Sequence, residues 1–478
     1  MELIFEKSVA NHRCTLLPKL DVPLYEIDKS VARDTPFDLP EIAEIDLVRH
    51  YTKLSKETFG IDDGFYPLGS CTMKYNPKIN ETVASLKGFT DISPISSPED
   101  VQGALQVYYE SEQVLCEVTG MDHISFQPGA GAHGEFSGLL IIKKYHQSRG
   151  DFNRNKIIIP DSAHGTNPAS AAMNGFKVIT IPSKDGLVDL DELDKVLDDT
   201  VAGLMLTNPN TLGLYDSGIL EITKKVHSYG GLCYYDGANL NAIMGVCKPG
   251  AMGFDCIHLN LHKTFSTPHG GGGPGVGACG CRDFLYPFLM NPRIIKTNKN
   301  EYAFEESGLS VGKVTAFYGN FLIVVRTLTY LKHLGCNGLR EVSDNAVLNA
   351  NYLRVKLKDT FNVAFDKICM HEFVLDLSSY KEKYGIRAID ICKRMIDFDM
   401  HPPTMYFPLI VHEALMFEPT ETEGKQTLDK VVEILKNIAI EAKSGSVDLT
   451  KAPYTKSYKR MDEVKAAREP ILRYVHEK

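Results

Sequence analysis

From about residue 91 to 325, short apolar runs alternate with stretches of helical period. Lys156–Ile159, Lys177–Ile181, Gly203–Leu206, Gly231–Tyr235 and Cys256–Leu261 are compact and rich in β-branched or other apolar side chains. Continuous apolar runs of this kind predict strands buried on both faces, and their separation by helical stretches predicts a mostly parallel sheet covered by helices, an α/β fold. The apolar segment Tyr318–Leu334 predicts a helix leading into a smaller C-terminal α/β domain. There, Met370–Leu377 and His401–Leu409 predict strands flanking a helix at Ile386–Phe398. Before the sheet, a helix is predicted at Leu39–Phe59, followed by an apolar loop containing Phe65-Tyr66-Pro67-Leu68. The expected division is an N-terminal arm or extension at 1–90, a large domain at 91–325, a small domain at 326–450 and a charged tail at 451–478. The arm reads as a segment that wraps a neighbour, with a plain surface extension as the other reading.

The chemistry concentrates between Asp255 and Gly280, D-C-I-H-L-N-L-H-K-T-F-S-T-P-H-G-G-G-G-P-G-V-G-A-C-G. Its one lysine, Lys263, ends an alternating apolar run and precedes a dense glycine turn. A lysine in such a pocket, walled by backbone that can approach a flat ligand, suits a Schiff base with pyridoxal phosphate (PLP). Upstream, the strand Leu232–Tyr235 stops at Asp236, a carboxylate able to keep the pyridine nitrogen protonated. A helix N-cap or turn role is the ordinary alternative for Asp236. Gln127–Glu135, Q-P-G-A-G-A-H-G-E, opens the apolar run Phe136–Tyr145, and small residues at a helix start make an anion site for a phosphate. His164, on the loop after the run at Lys156, could stack on the ring and exchange protons, or simply bond to backbone. Thr207, Asn208 and Thr211 are candidate substrate contacts, although N-P-N-T is also strong turn chemistry.

With these strings in place, the chain closely resembles the PLP-dependent P-protein of the glycine cleavage system, the decarboxylating glycine dehydrogenase family. Within it, the chain is similar to the PLP-carrying second subunit of the two-chain form. The resemblance rests on Gly64–Lys78 (G-F-Y-P-L-G-S-C-T-M-K-Y-N-P-K), Pro160–Ala172, Leu206–Leu214, Tyr234–Gly245, His258–Gly275, Ala316–Phe321, His371–Leu375, His401–Pro408 and Glu418–Glu423. It implies an aspartate-aminotransferase-like fold (fold type I), with Lys263 as the Schiff-base lysine, Asp236 at the pyridine nitrogen and His164 on the ring. It also implies cofactor contacts from Ala238, Gly131, Ala132, His133, His262 and Thr207, and no metal. The implied reaction is decarboxylation of glycine, releasing CO2 and passing the aminomethyl group to the lipoyl arm of H-protein. His164 and the freed Lys263 would handle protons. The implied partners are P-protein subunit 1 and lipoylated H-protein, with functional links to T-protein and L-protein. An arginine would be the natural clamp for the glycine carboxylate; Arg340, Arg354, Arg387 and Arg394 are the candidates. The chain departs from the family at Gly277-Ala278-Cys279-Gly280-Cys281 and at Asn291-Pro292-Arg293. Two other readings are a serine-hydroxymethyltransferase-like enzyme, whose lysine motif is similar, and a cofactor-free partner subunit. Lys263 and Asp236 together argue against the latter.

Composition changes little. The 478 residues are 43% hydrophobic and 24% charged, as in an ordinary soluble globular protein, and the net charge of −9 argues against general nucleic-acid binding. No apolar run is long enough to span a membrane, and the start M-E-L-I-F-E-K is neither a signal nor a transit peptide, so a cytoplasmic location is expected. The 11 cysteines include no C-x-x-C pair, which predicts reduced thiols, with Cys279 and Cys281 as filler. Two basic stretches, one with Arg293, Lys296 and Lys299 and one with Lys456, Lys459 and Arg460, could steer an acidic carrier or be plain solvated loops.

Overall fold

The computed structural model describes every residue except 1, 15–17, 36, 38, 271, 272, 274 and 475–478. Two compact units result: Gly64–Lys459, and Met1–Asp63 together with Arg460–Lys478. The second contains a helix at Glu44–Glu57, within the stretch predicted, and a stacked pair, Phe5 on Tyr474, with ring centroids 4.6 Å apart.

The larger unit is built on a seven-stranded sheet. Its strands are β1 (His123–Ser125), β2 (Lys156–Pro160), β3 (Lys177–Ile181), β4 (Val201–Leu206), β5 (Leu232–Gly237), β6 (Cys256–Asn260) and β7 (Gly277–Cys281). The spatial order is β1-β7-β6-β5-β4-β2-β3. Strands β3, β2, β4, β5 and β6 are parallel, and β7 runs antiparallel to both β6 and β1. The five runs picked out by hydrophobicity are these five parallel strands. Strand β7 escapes that reading because G-A-C-G-C has almost no side chain to pattern; Cys279 and Cys281 lie buried there, and all 11 cysteines are free.

Two helices on one side of the sheet, α1 (Gln102–Thr119) and the long helix from Phe321, pack with Leu105, Leu115, Leu204, Ile257, Leu259 and Leu261 into one core. On the other side lies α2 (Gly131–Ser148), against β6 and β7. Its seat is set by three glycines spaced to one helix face. A Cβ on Gly131 would stand 2.4 Å from Asn260 Oδ1; on Gly134, 2.6 Å from the Gly277 carbonyl oxygen; on Gly138, 2.4 Å from the Tyr234 ring. The string G-A-G-A-H-G therefore allows a helix start to press on strand ends. The third helix, α3 (Thr166–Met173), follows β2.

The long helix, α4 (Phe321–Leu357), continues beyond the predicted end at Leu334 through Gly335, whose φ of 61° and ψ of −176° kink it. Beyond it, β8 (Asn362–Val363), β9 (Phe373–Asp376), β10 (Thr404–Met405) and β11 (Ala414–Phe417) form an antiparallel sheet in the order β8-β9-β11-β10. Helices α5 (Ala388–Ile396) and α6 (Lys425–Ser444) cover it. The strand predicted over His401–Leu409 shrinks to Thr404–Met405. Pro402, Pro403 and Pro408 cannot donate to a ladder, and Tyr406 has φ of 56°. Residues 64–90, grouped with the arm by sequence, belong to the larger unit. Phe65 is buried in the C-terminal core beside Phe373 and Phe417, and Leu68 bridges to Phe417. Among the described residues no helix is long and apolar enough to cross a membrane.

The glycine seat is testable. Gly134→Val should destabilise the apoprotein by about 1–3 kcal/mol in urea denaturation, the usual cost of overpacking. Gly129→Ala, whose Cβ would meet nothing within 4 Å, should leave the midpoint unchanged. Equal midpoints for the two variants would mean that α2 does not depend on this close approach.

Candidate active site

The carboxyl ends of β4, β5 and β6, the start of α2 and a wall from the C-terminal domain enclose a cavity of about 200 Å³. An open α/β sheet binds ligands at such a crevice. Strand β5 ends at Asp236 and β6 leads into Lys263, so adjacent parallel strands bring the two residues named from sequence into one space. Asp236 is buried; it accepts hydrogen bonds from Asn167 Nδ2 (2.9 Å) and the Ala238 backbone N–H (3.0 Å), and His258 Nε2 lies 3.5 Å away. Burial pushes its pKa up, but His258 and the two hydrogen bonds outweigh that and hold it below the ordinary carboxylate value. Asp236 is therefore an anion held ready by its neighbours.

Glu135 faces the opposite outcome a short distance away. It is buried on α2, accepts from Ser170 Oγ at 3.0 Å, and clusters with Asp236 and His258. Burial, reinforced by the Asp236 charge, raises its pKa to about 8. Two carboxyl groups in one pocket are thus pushed apart, one ionised and one protonated at neutral pH.

Lys263 Nζ donates to the Ser70 carbonyl oxygen at 2.8 Å. Ser70 lies on a loop with two positive-φ residues, Ser70 (62°) and Thr72 (44°), gripped at every second position by a carboxylate of the C-terminal domain. Glu372 accepts from Ser70 N–H (2.7 Å), Glu418 from Thr72 N–H (3.1 Å) and Glu421 from Lys74 Nζ (2.6 Å). None of these acids has an assigned role in the sequence reading. Neither does His258, although the alternation His258-Leu259-Asn260-Leu261-His262 marks a polar face on β6 and was available as a signal.

Of the other predicted contacts, Gly131, Ala132, Ala238, Thr207 and His262 line the cavity. Helix α2 starts there without a side-chain cap, leaving N–H groups for an anion. Burial, with His269 and Lys263 adding, lowers the His262 pKa to about 3. His133 does not line the cavity; its Nδ1 turns back to accept from the Gly129 N–H (3.3 Å). His164 stands at the mouth, Nδ1 held by Thr166 Oγ1 at 2.6 Å, with its ring edge-on to Phe407. Asn208 is a structural residue: it exchanges hydrogen bonds with the Asp216 backbone. Thr211 lines the cavity but spends its hydroxyl on the Ser162 carbonyl (2.5 Å).

No arginine lines the cavity among the described residues. Arg340 pairs with Asp344, Arg354 with Asp366, Arg387 with Glu413, and Arg394 with Asp397 and Glu441. Nor is Arg293 a steering charge: it is 8% exposed, stacks 4.0 Å above the Tyr286 ring and pairs with Glu305. Lys456 pairs with Asp399, and Lys459 donates to the Pro453 and Tyr454 carbonyls.

The strand order, the single antiparallel strand β7 and the crevice outside the strand ends define an aspartate-aminotransferase-type, fold type I, α/β protein. Solved structures agree. A glycine decarboxylase (P-protein) of the glycine cleavage system, in inhibitor-bound form, superposes with a TM-score of 0.74 at 21% identity, covering 86% of this chain and 93% of that one. A cysteine desulfurase from Thermococcus onnurineus gives 0.60 at 14% identity, with 81% and 96% covered. The family model for the glycine dehydrogenase C-terminal domain matches residues 342–458. Proteins described as probable glycine dehydrogenase (decarboxylating) subunit 2 match nearly end to end. The one from Treponema denticola is 57% identical over 99% of this chain and 98% of its own length. That from Caldanaerobacter subterraneus subsp. tengcongensis is 56% identical, again over 99% and 98%. The chain belongs to the glycine dehydrogenase (decarboxylating) subunit 2 family.

The state of Glu135 carries a pH signature. Its folded pKa of about 8 lies above the ordinary 4.5, so the unfolded chain gives up this proton first. Stability from this group is full below pH 4.5 and is lost as pH rises towards 8. Glu135→Gln should therefore gain stability relative to the parent between pH 5 and pH 8 in chemical denaturation of the apoprotein. A difference that does not change with pH would show that Glu135 is ionised in the fold.

Proposed function

We propose that this chain is the PLP-carrying subunit that decarboxylates glycine and passes the aminomethyl group to the lipoyl arm of H-protein, working with a subunit 1 partner. The observation that carries the reading is the placement of Lys263 and Asp236 on neighbouring strand ends, facing an uncapped helix start, in a chain of this family. A cofactor-free partner subunit needs neither residue.

The residues fit the cofactor at three points. The Gly131 and Ala132 end of α2 offers backbone N–H groups and the positive helix end to a phosphate. Asp236, fixed by Asn167 and Ala238, offers an anion to the ring nitrogen. Lys263 offers the amine. His258 Nε2, buried and without a hydrogen-bond partner among the described residues, backs Asp236 from the next strand. Bound there, PLP supplies a protonated ring that accepts the electron pair left on the α-carbon as CO2 departs. The protein's share would be to orient the glycine, to keep Asp236 ionised and to store protons. Lys263, when free, rests on the Ser70 carbonyl, from which it can exchange a proton with the α-carbon; His164 serves the open side. In the other unit, Leu20, Leu24 and Tyr25 are 70%, 81% and 90% exposed, which supports an arm that embraces the partner subunit.

The test is a visible spectrum of the PLP-loaded protein, followed by glycine–bicarbonate carbon exchange with subunit 1 and lipoylated H-protein present. The parent should show the absorption of lysine-bound cofactor, and Lys263→Ala should not. Asp236→Asn should retain PLP and lose about 100-fold in exchange rate, on the scale of one preorganised electrostatic contact. A Lys263→Ala protein with the parent's spectrum, or a parent without exchange when both partners are present, would overturn the reading.

A further inference from the structure

The cofactor contacts lie on the sheet and on α2. The C-terminal wall of the same cavity holds a histidine with no part in them. His371, just ahead of β9, is 1% exposed, and neither ring nitrogen has a hydrogen-bond partner among the described residues. Its nearest acid, Glu372 Oε1, is 3.6 Å from Nε2, beyond hydrogen-bond range. Yet it lines the cavity together with Lys263. A buried polar side chain left unpaired costs free energy, and one that faces a cavity calls for a ligand.

The surroundings specify the ligand. Burial, reinforced by Lys263 and opposed by Glu418, lowers the His371 pKa, so the ring is neutral and presents a single N–H donor. Burial and the neighbouring Glu418 raise the Glu372 pKa well above the ordinary carboxylate value, and its carboxyl is engaged by the Ser70 N–H at 2.7 Å. Glu418 is enclosed by donors from Thr72, Asn239 and Asn241. An anion can therefore approach His371 without meeting a bare carboxylate. Among the described residues the cavity has no arginine and one lysine, Lys263, which the reading above commits to the cofactor.

We propose that His371 receives the carboxylate of the substrate glycine through one imidazole N–H, in place of an arginine clamp. This rests on the decarboxylase reading above. It also follows from the chemistry. The carboxylate loses its charge as it becomes CO2, so a bidentate cation would stabilise the ground state more than the transition state and slow the step. A single neutral donor orients the group and then lets it go.

The experiment uses the PLP-loaded protein with its subunit 1 partner, titrated with glycine and with methylamine, which lacks the carboxylate, while the visible spectrum is followed. His371→Phe should raise the glycine concentration for half-change about 10- to 100-fold, the worth of a hydrogen bond to a charged group. PLP content and the methylamine titration should stay as in the parent. His371→Gln, which restores an N–H donor, should recover part of the loss. An unchanged glycine titration in His371→Phe overturns the proposal, as do equal losses for glycine and methylamine, or loss of PLP from both variants, which would make His371 a packing residue. Each of those leaves glycine decarboxylation standing. A parent spectrum indifferent to glycine would remove that reading and this proposal with it.

Discussion

Gly131, Gly134 and Gly138 let α2 settle on β6 and β7 at distances that any Cβ would forbid, and the geometry of the site follows from that seat. The first turn of α2 is brought level with the ends of β5 and β6, so free N–H groups face the same space as Asp236 and Lys263. The same contact carries Glu135 inward from the helix. A helix standing further off would leave those N–H groups away from Asp236 and Lys263 and would open the cavity between them.

Much of the cavity's character comes from acids that burial treats differently. Three neighbours hold Asp236 below the ordinary carboxylate value, whereas burial raises Glu135 and Glu372 above it. Acids treated differently within one enclosure leave the cavity with a fixed negative charge at Asp236 instead of several competing ones.

The parallel strands were legible in the sequence because both of their faces are buried, which writes them as continuous apolar runs. That Lys263, Asp236 and the opening of α2 meet in one cavity was legible because they sit at the ends of those runs. Other parts were silent for physical reasons. Strand β7 is built of glycine, alanine and cysteine and has no pattern to read. Phe65 looks like arm residue until the C-terminal core closes over it. Arg293 looks like a free charge until Tyr286 and Glu305 cover it. Ser70, Glu372 and His371 acquire meaning only through contacts made across the fold, which no local window contains. The family strings include all three, yet a string does not say which way a side chain faces.

The grip of Glu372, Glu418 and Glu421 on Ser70, Thr72 and Lys74 joins positions separated by 302, 346 and 347 residues. During synthesis, the loop that steadies Lys263 leaves the ribosome long before the acids that fix it, and the lysine itself emerges between the two. The large-domain sheet is complete at Cys281, while the pocket it serves stays open on one side until Glu421 has been made. Closure of the cavity is thereby tied to the finished chain, and a truncated product that folds its sheet still lacks a closed site.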